Sequence, residues 1–196
     1  MAPPAAGGRR LIPAVLMVAT GLACSFSLKR PDTTLVRMIE PQLEEPAKRD
    51  GNAPAITTLR LLDTQARAHI GRRLLRQQPD GELVEDPTWR WSSAPDRYLD
   101  TALRLELTSR ADVRLVDHAS ASTLAVTLLA WNLDTAGEPR LVGAIEIQIT
   151  GADRVVRTQV VKEREPVSAE LPGNVAAAAG RLLQRLASEG VTRVTR

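Results

Sequence analysis

The chain holds a single cysteine, Cys24, so no intrachain disulfide can staple the fold. Aromatic residues are only 3% of the 196, which leaves leucine, valine, isoleucine and alanine to build a core. An apolar content of 43% is enough for one, and the length fits a single domain with short extensions. No run of five or six like charges occurs. The formal charge of +3 includes Arg9 and Arg10, and from Cys24 onward 24 basic residues face 23 acidic ones. Nucleic-acid binding requires a concentrated basic stripe, and none is present, so no nucleic-acid partner is expected. Catalytic patterns are lacking as well. His69 and His118 have no His or Cys partner at metal-ligand spacing. There is no G-x-G-x-x-G after a strand, no G-x-x-x-x-G-K-[ST] and no G-x-S-x-G. Glu44-Glu45 and Glu163/Glu165 read as solvated charge rather than an acid/base pair. The sequence points away from an enzyme and implies no cofactor and no metal.

What the chain does have begins at Arg9-Arg10, followed by the apolar stretch LIPAVLMVATGLAC, Leu11–Cys24. A basic segment, an apolar segment and small residues before a cleavage point are the parts of a secretory signal. A transmembrane helix needs about 20 apolar residues. Leu11–Leu22 supplies about 12, roughly 18 Å as a helix, with Pro13 inside it. Gly21-Leu22-Ala23-Cys24 looks like a bacterial lipobox, with Leu22 one place later than is commonest. Cleavage then falls between Ala23 and Cys24, and Cys24 is acylated. A plain cleaved signal, with Cys24 a free thiol, and an uncleaved helix are the other readings.

Residues 1–23 thus read as a signal peptide, 24–54 as the lipidated N-terminus and a tether, and 55–196 as the folded domain. Pro31, Pro41, Pro46 and Pro54 break any long apolar period in the tether, although Leu35, Val36, Met38, Ile39 and Leu43 allow a short piece to pack on the domain.

In the domain, Ile56–Asp63 is a strand candidate. Arg72–Gln77 and Leu83–Glu85 bracket Pro79-Asp80-Gly81, a hairpin signal. Ser93 and Asp96 have capping-box spacing around Pro95, and the recurrence of Tyr98, Leu99, Ala102, Leu103 and Leu107 predicts a helix over about 94–108. Trp91 reads as a core or hinge residue at the helix entry. Val113–Asp117, Leu124–Leu133, Leu141–Thr150 and Arg154–Glu163 read as strands, the last three as an antiparallel meander. Gly143, Ile145, Ile147 and Ile149 form an apolar face that needs a cover. The stripe Val175, Ala179, Leu182, Leu186, widened by Leu183, predicts a covering helix, with Asn174 as N-cap and Gly190 as its end. The fold class is α+β: a single, mostly antiparallel sheet with about two helices packed on one face.

The cysteine and tether come first, then LRLLD running into HIGRRLLRQQPDGEL, and Arg90-Trp91 shortly before Pro95. The helix DRYLDTALRLEL, the strand VRLVD, the meander and an alanine-leucine helix follow. In order and spacing these segments resemble the ABC-type transport auxiliary lipoprotein family, which accompanies mammalian-cell-entry (MCE) domain lipid-transport systems. The resemblance covers roughly 140 residues. It implies a non-catalytic periplasmic lipoprotein, anchored through Cys24 at the outer membrane, with an MCE-domain protein as partner. Ser25 fits outer-membrane sorting, and Arg90, Trp91 and Pro95 form a family motif of structural or partner-contact type. An adaptor of this kind would present sheet edges and Arg72, Arg73 and Arg76 to its partner. Two other roles are a lipid-binding carrier and an envelope lipoprotein regulating a cell-wall synthase. The sequence leaves homo-oligomerisation open.

Overall fold

The computed structural model describes residues 35–47, 57–118, 121–151 and 155–194. Ala23, Cys24 and Ser25 lie outside the described residues. Strands β1 (Arg37–Ile39), β2 (Thr57–Leu61), β3 (Gln65–Ala66), β4 (Arg73–Gln77) and β5 (Leu83–Trp91) precede helix α1 (Pro95–Ser109). Strands β6 (Val113–Leu115), β7 (Ser122–Asp134), β8 (Arg140–Thr150) and β9 (Val156–Pro166) lead to helix α2 (Pro172–Val194). Among the described residues the nine strands form one mixed, mostly antiparallel sheet, which with the two helices makes an α+β fold.

The long ladders are the antiparallel meander β7–β8–β9. Along its other edge β7 takes β2, β3 and β4 in turn, all parallel. Beyond them β6 pairs with β2, and β5 with β4, while β1 forms the edge on β5. The β4–β5 hairpin turns at Gly81, whose φ of +90° suits a residue without a Cβ. The Asp80 carboxylate accepts from the Glu82 N–H at 3.0 Å and fixes the turn.

β7 carries Leu124, Val126 and Leu128 on the helix side, then shifts register between Leu128 and Ala130, so that Trp131 and Leu133 return to that side. One bulged residue converts even positions to odd ones, which is why both parities of LAVTLLAWNL are apolar. Opposite them stand Ile147, Ile145, Gly143 and Leu141 of β8, and α2 covers this face with Val175, Ala179, Leu182, Leu183 and Leu186, all fully buried. Gly143 leaves the room that Leu182, Leu186 and Trp131 fill, since a Cβ there would lie 2.7 Å from Leu186 Cδ1.

Several local expectations need correction. The N-cap of α1 is Ala94, with no side-chain cap, because Pro95 opens the helix and places Ser93 one residue too early for a capping box. α2 starts at Pro172 rather than after Asn174, which sits in its first turn. It also runs through Gly190 to Val194. That glycine is buried inside the helix, where a Cβ would stand 3.0 Å from Ile147 Cδ1, so it serves close packing rather than termination. The short piece that could pack on the domain does so: Arg37–Ile39 is a strand whose Ile39 is buried in the core. Its three residues are too short to show a period.

Candidate functional site

Arg90, Trp91 and Pro95 stand at the passage from β5 to α1. Trp91 ends β5 with its side chain fully buried, and its ring meets that of Trp131 at a centroid distance of 5.6 Å and a tilt of 56°. The turn after it is fastened from three sides. The Ser92 N–H and hydroxyl both donate to the Ile39 carbonyl, at 2.9 and 3.1 Å, tying in β1. Arg72 donates from Nε to the Trp91 carbonyl and from Nη2 to that of Ser92, at 3.3 and 2.6 Å. The Tyr98 hydroxyl accepts from the Ser93 N–H at 2.8 Å and shares a hydrogen bond with the Ser92 hydroxyl. Pro95 is buried at the first helical position. Trp91 and Pro95 therefore hold the helix to the sheet. Arg90 points to the opposite sheet face, beside Met38 of β1 and Arg73 of β4.

A second polar cluster closes the irregular middle of the β4–β5 ladder. Arg76 Nε binds Asp86 Oδ2 at 2.6 Å, and Nη1 binds Glu170 Oε2 at 2.5 Å. The guanidinium lies 5.5 Å from the Trp89 ring centroid. The other Asp86 oxygen accepts from the N–H groups of Thr88 and Trp89 and from the Thr88 hydroxyl. Burial alone would raise the pKa of Asp86. The hydrogen bonds from Arg76, Thr88 and Trp89 outweigh burial and hold it below the usual aspartate value. Burial likewise works against the Arg76 charge, yet Asp86 and Glu170 together raise its pKa. Arg76 is thus committed inside the fold. It is not the partner-facing cation that the sequence suggested. Arg72 is similarly occupied by backbone carbonyls.

The third feature is a groove of about 550 Å³ between α1, α2 and residues 43–47. The chain crosses α2 with the Gln42 backbone against Gly180, and Gln184 Nε2 donates to the Glu44 carbonyl at 2.9 Å. The groove's buried carboxylates are Glu106 of α1 and Glu165 of β9. Glu165 is bracketed by Arg181 at 2.7 Å and Arg185 at 2.6 Å, whose guanidinium groups are about half exposed. No sequence pattern announced this groove, because it is assembled from three segments far apart in the chain. Among the described residues no cluster of His, Cys, Asp and Glu gathers at metal-binding distance.

These features define a small α+β protein with a covered sheet face, a pinned strand-to-helix turn and an interhelical groove. The family profile described as "ABC-type transport auxiliary lipoprotein component" matches residues 41–189, about three quarters of the chain. The chain belongs to that family. It is accordingly an auxiliary lipoprotein component of ABC-type transport, lipid-anchored in the cell envelope. Among solved structures it is similar to a Xanthomonas campestris protein of the DUF330 family, at 20% identity and a TM-score of 0.67, over 81% of this chain and 96% of that one. A second structure, of an uncharacterized protein, shares 14% identity at a TM-score of 0.59 over 82% and 97% of the two chains. A minor lipoprotein from Acinetobacter baumannii shares 15% identity over 71% and 92%, with a TM-score of 0.41. No curated protein matches.

Proposed function

We propose that this chain is the non-catalytic lipoprotein of an MCE-type intermembrane lipid-transport system, anchored at the outer membrane and facing the periplasm. The observation that carries the reading is the family match over residues 41–189, joined to the lipobox-like Gly21-Leu22-Ala23-Cys24 upstream of it. Cleavage after Ala23 leaves Cys24 as the acylated first residue. Ser25 behind it supports sorting to the outer membrane, since aspartate at that place is the usual retention signal. A single acyl chain holds a protein only marginally, and the several chains of a bacterial lipoprotein cysteine give a fixed anchor.

The domain's part is that of an adaptor to the MCE-domain protein. The groove between α1 and α2 supports docking better than it supports carriage of lipid. Its charged lining, with Glu165 bracketed by the half-exposed Arg181 and Arg185, is a costly neighbour for an acyl chain and suits polar side chains of a partner.

The test has two readouts on tagged protein extracted from native membranes. Intact mass should show a species beginning at Cys24 with added acyl mass, absent in Cys24→Ala. Affinity capture after crosslinking should recover an MCE-domain protein. Recovery of cell-wall synthases instead, or an unacylated soluble species, would overturn the assignment.

A further inference from the structure

Because β1 belongs to the sheet, the tether before the domain is far shorter than the sequence suggests. Only about 11 residue steps separate Cys24 from Leu35. Fully extended they reach about 40 Å, and as a relaxed coil roughly 18 Å. Whatever surface surrounds β1 is therefore held close to the bilayer in which the acyl chains sit.

That surface has an unusual make-up. Leu35, Val36 and Met38 are 79%, 46% and 50% exposed. Met38 lies on the outer side of the strand, away from buried Ile39, and Val36 immediately precedes the strand. Both line a shallow depression on the helix-free face of the sheet, together with Arg72, Arg73 and Arg90. Glu85 is the one acidic residue lining it, paired with Arg73 at 2.7 Å. The depression thus carries net positive charge beside apolar side chains left in water, with Arg72 engaged by the Trp91 and Ser92 carbonyls and Arg73 shared with Glu85.

We infer that the β1 edge and the outer face of β4 and β5 form a membrane-resting surface, with Leu35, Val36 and Met38 entering the headgroup region of an anionic bilayer and Arg73 and Arg90 facing its phosphates. The chemistry matches on both counts. Interfacial binding grows with buried apolar area and with cation–phosphate attraction, and short basic segments next to an anchor are drawn to anionic lipid. Resting on this face turns the helix layer, with its groove, away from the bilayer. The inference depends on the anchor at Cys24 proposed above.

Acylation blocks the Cys24 thiol, so a Met38→Cys variant carries one reactive thiol for an environment-sensitive fluorophore. The acylated full-length product is reconstituted into phosphatidylethanolamine vesicles with or without phosphatidylglycerol, some carrying a quencher on the acyl chains. A Thr108→Cys variant, labelled on the exposed side of α1, is the control. The expected result is a blue-shifted, lipid-quenched label at position 38 and a water-exposed one at 108, the difference weakening at high salt or without phosphatidylglycerol. Equal exposure of the two labels on acylated protein overturns the surface while leaving the anchor intact. So does shielding at position 38 without lipid quenching, which marks a protein interface. Absence of acyl mass in the same sample overturns both.

Discussion

The carbonyl oxygen of Gln42 stands where a side chain at position 180 would begin: a Cβ built on Gly180 would lie 2.0 Å from it. The 41–47 segment therefore lies on α2 at backbone distance, and the Gln184 bond to the Glu44 carbonyl holds it there. Gly180→Ala cannot be absorbed by a rotamer change, because the obstacle is backbone. The expected cost is about 1–3 kcal/mol, as for other overpacked sites. Urea unfolding should report a lower midpoint with an unchanged slope. Limited proteolysis should cut more readily near residues 41–47, since that segment is what must move.

The Trp91–Trp131 contact separates packing from hydrogen bonding. Both indole N–H groups are buried without an acceptor within reach. Trp91→Phe therefore forfeits ring area and no hydrogen bond, with an expected loss of about 1–2 kcal/mol, whereas Trp91→Ala should cost about 3–5 kcal/mol through the cavity it opens. Denaturant titration of both variants checks the ratio. Equal losses would mean that the ring's size is irrelevant at this turn.

Asp86 gives the fold an acid-sensitive joint. Its pKa is lower folded than unfolded, so its contribution is fully present above the unfolded value, near pH 4, and is lost as pH falls through the folded one. Stability measured from about pH 6 down to about pH 2 should fall more steeply for the native protein than for Asp86→Asn. At neutral pH the asparagine variant should be weaker by about 1–3 kcal/mol, because Arg76 keeps only Glu170.

How much of this was legible beforehand depends on the range of the forces involved. The Asp80-Gly81 hairpin, the Ile145–Ile147 face and the Val175–Leu186 stripe are written in local periods, and each stands where its period places it. The parallel pairings of β7 with β2, β3 and β4 leave no local trace, since β3 has only two residues and each partner lies more than 50 residues away. The bulge at Leu128/Ala130 hid the parity of β7. At the candidate site, Trp91 and Pro95 stood out by type, but what fastens them, Arg72, Ile39 and Tyr98, comes from three separate segments of the chain. The Glu106–Glu165 groove is equally non-local: Glu165 reads in the sequence as solvated charge, and nothing local marks Glu106. The prolines around residues 37–39 mark a tether while their apolar side chains allow packing, and buried Ile39 decides between the two.

That isoleucine supplies the sharpest test of where the domain begins. Ile39 is buried under the turn that follows Trp91, and its carbonyl takes both bonds from Ser92. Ile39→Ala removes core volume at the point where β1, β5 and α1 meet, so a loss of about 2–4 kcal/mol is expected. Leu35→Ser, four residues earlier and largely exposed, should change stability by less than about 0.5 kcal/mol. The two variants should diverge in the opposite sense on vesicles. Leu35→Ser should weaken shielding of a label at position 38 while the fold is intact, and Ile39→Ala should unfold at lower urea whether or not lipid is present. If both substitutions were neutral to folding, residues 37–39 would be a strand by geometry alone, and the tether would regain its full length.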